Sequence, residues 1–348
     1  MSDRIPSEKM LEAAQGAIPG YSTAALVVAR SERWLRQKQA TFIPSVGAES
    51  ELQTAAESGD EFPAGLGQRI NDAAAAVAAR NTELTHLKNF VNGARERLTA
   101  TIKDGVDDGL NFLSEQMADV VDQFRTEGDA FRDLPSFEEI ASTNDQTSFR
   151  VRGQWQELTK RYVAIRSAQQ ALVREALRGE HGDNGHRVFL QAGQIADLID
   201  HEGYFIERRS TTHWDHQTRH FGHALLPWRE ATTTPLISAL EWRVAVPVEP
   251  EWQMRFVLRI CTEAEPWVPG LQVMLAAVRL AELATGTPTR QGEAPLIDAL
   301  LDLQELTGWE SPGTPEPMKP RPVKTQPKLS NEARYMRGMQ RTRERLNR

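Results

Sequence analysis

Apolar residues recur at every seventh position early in the chain, at Ile70, Val77, Leu84, Val91 and Leu98. Such a complete a-position series predicts a helix from Leu66 to Thr101. Ala73, Arg80, Leu87, Ala94 and Thr101 form the companion d series, a mixed one that narrows the seam without destroying it. The run Ala73 to Ala79 adds strong intrinsic helix propensity.

The stretch Lys103-Asp104-Gly105-Val106-Asp107-Asp108-Gly109 then reads as an interruption, because Asp-Gly pairs favour turns. A second series follows it at Val106, Leu110, Leu113, Met117, Val120 and Phe124, shifted in heptad phase by five residues from the first. That offset predicts a break, most simply a helical hairpin. A third series places Trp155, Leu158, Tyr162, Ile165, Leu172 and Ala176 at a and d positions, with Gln169 as the lone polar a residue. Three amphipathic helices, each needing a partner, point to an antiparallel coiled-coil-like bundle over residues 67–178, and the bulk of Trp155 favours a bundle roomier than a two-stranded coil.

Residues 1–66 read as N-terminal helices and a mobile loop. A helix around Thr23 to Gln39 carries Ala24, Val27, Val28 and Trp34 on an apolar face, and polar Ile43 to Phe62 reads as the loop. Pro135 and the Ser136-x-x-Glu139 capping signal predict one short helix before the third heptad series.

Beyond Gly179 the heptads stop and six of the eight tryptophans appear, which predicts a second, mostly helical globular domain over 180–309. Trp242 to Val248 and Met254 to Cys261 permit one short β-hairpin around Pro250, or alternatively a helix from Glu251. Leu271 to Ala284 reads as a buried helix, and Ala294 to Leu306 as an amphipathic one ending at Gly308. Six prolines between Pro312 and Pro327 make residues 310–329 an extended linker, and Ser330 starts a short Arg-rich helix over 330–348. The fold class is therefore mainly α: a bundle, a helical globular domain and a basic tail.

Charge adds a polarity that the hydrophobic pattern lacks. The chain of 348 residues carries a net charge of −7, yet residues 319–348 hold ten basic residues against two acidic ones, which leaves −15 on residues 1–318. Such tails meet nucleic acid or acidic protein surfaces. Arg334, Arg337, Arg341, Arg345 and Arg348 step by three or four, so a helix aligns them as one stripe, with Tyr335 and Met339 as apolar anchors beside it. A single cysteine, Cys261, excludes an internal disulfide and fits the cytoplasm or another reducing compartment, where it reads as a core side chain. No apolar stretch approaches the roughly 20 residues that span a membrane, and Met1 to Met10 lacks the apolar region of a signal peptide.

Catalytic chemistry has one candidate constellation. His213, His216, His220 and His223 stand at helical offsets, so two or more of them could share a divalent transition metal. There is no His-Glu-x-x-His, no phosphate-binding glycine loop and no Gly-x-Ser-x-Gly. The first expectation is thus a non-enzymatic structural or scaffolding-type assembly protein that uses its helices for a protein partner or its own oligomer and its tethered tail for a partner surface. The alternatives are a metal-dependent enzyme centred on His213 to His223 and a nucleic-acid-binding accessory factor acting through the tail.

Overall fold

The computed structural model describes residues 6–40, 47–58, 61–135, 137–178, 193–210, 250–286 and 294–310. Helices dominate them: α1 (Pro6–Gly16), α2 (Tyr21–Ala40), α3 (Ala48–Ser58), α4 (Leu66–Arg132), α5 (Phe137–Thr143), α6 (Gln146–Ala176), α7 (Leu198–His201), α8 (Gly203–Ser210), α9 (Pro250–Glu263), α10 (Leu271–Ala284) and α11 (Ala294–Thr307). An isolated antiparallel bridge joins Ile195 to Pro266.

The predicted hairpin at 103–109 is not there: α4 runs unbroken through 67 residues. Its glycines are points of close approach rather than turns. A Cβ on Gly105 would stand 2.6 Å from Cγ2 of Ile18, and one on Gly109 would stand 3.0 Å from both the Ala14 carbonyl oxygen and Cδ1 of Leu172. The end of α1 therefore lies against α4 where α4 has no side chain, and Ala14 and Ile18 are buried there. The shift in heptad phase has the same origin. From Leu84 to Leu98 the apolar stripe of α4 faces α2, and beyond Thr101 the stripe turns to face α1 and α6. A change of partner, not a change of direction, moves the stripe around the helix.

The second and third heptad series form the core that the sequence promised. Leu110, Leu113, Met117, Val120 and Phe124 from α4 and Tyr162, Ile165 and Leu172 from α6 are almost fully buried. Phe131 stacks on Trp155 with ring centroids 5.6 Å apart, and Trp155 donates its indole N–H to the Met254 carbonyl at 3.1 Å. The room that Trp155 needs is supplied by α9, which packs on both α4 and α6. Met254 to Cys261 are thus helical and not a strand: Met254, Val257, Leu258 and Cys261 are buried at steps of three and one, and Pro250 occupies the first turn, where its missing N–H costs nothing. Trp242 to Val248 lie outside the described residues.

Helix α3 replaces part of the expected loop at Ile43 to Phe62. Its residues are polar, but Ala, Glu, Gln and Leu supply the helix propensity that a scan for large apolar residues passes over. The short helix after Pro135, the buried helix at Leu271–Ala284 and the amphipathic one ending at Gly308 are where the sequence put them, and α10 packs on α11. Gly308 takes φ +72°, the left-handed stop that glycine adopts without strain.

Polar side chains of α4 close the ends of three other helices. Arg80 donates to the Lys38 and Gln39 carbonyls at the end of α2, at 3.4 and 2.9 Å. Asp107 accepts the Leu271 N–H at 2.7 Å, capping α10 where Gly270 has no side chain to do so. Arg125 donates to the Cys261 and Ala264 carbonyls at the end of α9 and pairs with Glu265 at 2.9 Å. Each charge sits at the helix end whose dipole favours it.

Candidate interaction site on the helical arm

All eleven site residues named from the sequence lie outside the described residues: His213, His216, His220 and His223, and Arg334, Tyr335, Arg337, Met339, Arg341, Arg345 and Arg348. Two arrangements within the described residues gather side chains capable of binding or chemistry.

The first is a buried polar centre on α6. Arg166 donates to Gln169 Oε1 at 2.9 Å and to the carbonyls of Gly193, Gln194 and Trp267, and its guanidinium lies 5.0 Å from the centroid of the Tyr162 ring. Gln169, the polar exception in its heptad series, donates to the Gly193 carbonyl at 2.7 Å. The pair therefore holds the segments around residues 193 and 267 against α6, with donors aimed at backbone oxygens. Nearby, buried Asp197 accepts the Glu265 N–H at 3.1 Å and meets His201 Nε2 at 2.8 Å, while Asp200 accepts the Trp309 indole N–H at 2.9 Å. Cys261 is fully buried, and burial pushes its thiol up to about 12, far from a reactive thiolate at neutral pH. Among the described residues no three His, Cys, Asp or Glu side chains are grouped to hold a metal ion. The centre organises the fold; each polar contact in it ends on a structural group.

The second arrangement is the arm made by α2 and the first half of α4. The two helices run antiparallel. Glu32 pairs with Arg95 at 2.6 Å along one edge of their seam, and Lys38 pairs with Glu83 along the other. Ala24, Val28, Ser31 and Leu35 of α2 face Leu84, Leu87, Val91, Ala94 and Leu98 of α4, and small Ser31 and Ala94 allow the backbones to come close. Arg80, the polar exception in the d series, stands where α2 ends and binds its last carbonyls.

Past that point the stripe of α4 continues without α2, and Ile70 and Val77 are 41 and 44% exposed. Exposed Leu52 and Phe62 stand in the adjoining α3 and the turn before α4. A second apolar line runs along the Lys38–Glu83 edge. Trp34 lies one turn before Lys38, Val27 two turns before Trp34, and Phe90 two turns after Glu83; Trp34 and Phe90 are 51 and 44% exposed. Arg97 lies over the Phe90 ring, 5.9 Å from its centroid.

The sequence placed Val27 and Trp34 on one apolar face with Ala24 and Val28, whereas the structure divides that face. Positions 24, 28, 31 and 35 step by four and three and form the seam, which leaves 27 and 34 on its flank with Lys38. That spacing was the available signal, and Phe90 was one residue away from the a-position Val91.

No protein-family model matches the chain, and no curated protein or solved structure matches it either. Among the described residues no helix is long and apolar enough to cross a membrane.

Proposed function

We propose that the protein is a non-enzymatic assembly protein whose helical body carries two partner-binding elements, the arm of α2 and α4 and the basic C-terminal segment. The observation that carries this reading is the exposure of large apolar residues along a helix that is otherwise well packed. In its second half α4 buries its whole apolar stripe, whereas in its first half it leaves Ile70 and Val77 in solvent beyond the end of α2, and Phe90 in solvent on the same edge of the arm as Trp34. Exposed large apolar residues gathered in this way and rimmed by charge favour a protein-binding surface. The C-terminal half of the proposal is supported by sequence alone, through the arginine stripe from Arg334 to Arg348 behind its proline-rich spacer. A lone, buried cysteine agrees with a reducing compartment.

Site-specific photo-crosslinking in the producing cell tests the reading. With a photoreactive residue at position 70, 77 or 90, the full chain should form a discrete polypeptide adduct, and at the exposed body position Ala118 it should not. Arm positions that yield no adduct above the Ala118 control would remove the arm from the proposal.

A further inference from the structure

In a self-sufficient two-stranded coil the residues flanking the a/d seam are charged and only the seam is apolar. The α2–α4 arm departs from that pattern on one edge only. Along the Glu32–Arg95 edge the flank is ionic, as a solvent-facing flank should be. Along the other edge Val27, Trp34 and Phe90 occupy flanking positions, so each helix has an apolar stripe of seam plus flank. A helix with such a widened stripe is one that meets two neighbours, and among the described residues this edge of the arm leaves Val27, Trp34 and Phe90 exposed.

Charge selects what the missing neighbour is. In α2 four cations stand against one anion, and in residues 66–101 five stand against three, giving the arm a net +5 within an acidic body. Arg30 lies one turn before Trp34, Arg33 adjoins it, and Arg97 covers Phe90; all three are exposed. A second copy of the arm would bring these arginines against their own kind. A third strand with acidic flanks would find cations on both sides of its apolar face. A nucleic acid strand would meet the arginines too, but it has no use for aliphatic Val27 in the same line as Trp34.

Resting on the assembly reading above, we infer that the Val27–Trp34–Phe90 edge of the α2–α4 arm docks an acidic amphipathic helix of a partner protein, completing a three-helix coil. Trp34 and Phe90 anchor its apolar face, and Arg30, Arg33 and Arg97 bind its flanking carboxylates.

The test uses the full chain and two labelled synthetic peptides of four heptads, both with Leu at a and d, one with Glu and the other with Lys at the flanking positions. Fluorescence anisotropy should show saturable binding of the Glu peptide and none of the Lys peptide. Trp34→Ala and Phe90→Ala should each weaken binding at least tenfold, while Trp34→Phe keeps it within about threefold. Arg30→Glu with Arg97→Glu should weaken it at low salt, by a factor that shrinks as salt rises. The tail is intact in every variant, so binding to the tail alone appears as affinity indifferent to Trp34 and Phe90, and that result overturns the inference. So does the absence of saturable binding, a preference of the same edge for a single-stranded oligonucleotide, or a dimer that Trp34→Ala converts to monomer. A failed peptide titration beside positive crosslinks at positions 70 and 77 rejects this edge and this partner chemistry while the assembly reading stands; failure of both rejects both.

Discussion

Replacing Gly105 with alanine separates a helix contact from a turn. In a helix interior the exchange gains about 0.5–1 kcal/mol of backbone propensity. At Gly153 of α6, where a new methyl meets nothing within 4 Å, that gain should appear undiminished. At Gly105 the methyl would stand 2.6 Å from Cγ2 of Ile18. Ile18 is 2% exposed, and its branched Cβ restricts rotation away from the clash. Overpacking of this kind costs about 1–3 kcal/mol, so Gly105→Ala should be net destabilising by about 1 kcal/mol. In an Ile18→Ala background the nearest remaining atom of residue 18 is its Cβ at 3.7 Å, an ordinary contact. There Gly105→Ala should stabilise, even though Ile18→Ala itself costs about 2–4 kcal/mol through the cavity it leaves. The cycle thus has a coupling of about 2 kcal/mol, measurable by urea unfolding followed at 222 nm. Equal destabilisation by Gly105→Ala in both backgrounds would refute the docking of α1 on α4 and return the segment to a turn.

Other outcomes follow from individual side chains. Arg166→Met should cost at least about 3 kcal/mol in urea unfolding, since it strips donors from buried carbonyls, and Arg166→Lys should recover little because an ammonium lacks the planar fork. Cys261 should resist a thiol-reactive dye in the native protein and react at once in denaturant; a fast native reaction would contradict its burial. The Asp145 carboxylate accepts the Thr147 and Ser148 N–H groups and the Ser148 hydroxyl at the start of α6, and these bonds hold its pKa below the ordinary value. A depressed folded value means that the stabilisation is complete above the unfolded pKa of about 3.9 and disappears as pH falls through the folded one. Asp145→Ala should therefore melt below the wild type at pH 7, and the two should converge in stronger acid.

The parts of this fold legible in the sequence are those governed by local periodicity. The stripes from Val106 to Phe124 and from Trp155 to Ala176 identified the core, and Gly308 marked the end of α11. What could not be read was set by contacts distant in sequence. Gly105, Asp107 and Gly109 look like turn residues until Ile18, the start of α10 and Ala14 are placed against them, and polar Arg80 and Gln169 look like exceptions until their targets on α2 and at residue 193 appear. The candidate edge was hidden for a related reason. Val27 and Trp34 are apolar whether they face inward or outward, and only the register of α2 on α4 shows that they flank the seam.

The arm exists because α4 is one continuous helix whose second half is buried in the body. Spin labels at Asn89→Cys and Asp122→Cys, both exposed and on opposite sides of the Asp-Gly segment, test this by pulsed dipolar spectroscopy with buried Cys261 left unlabelled. Thirty-three residues at 1.5 Å each give a separation of about 50 Å in a continuous helix. A distance distribution centred there would confirm the arm, whereas one below about 20 Å, the spacing across a packed helical hairpin, would contradict it.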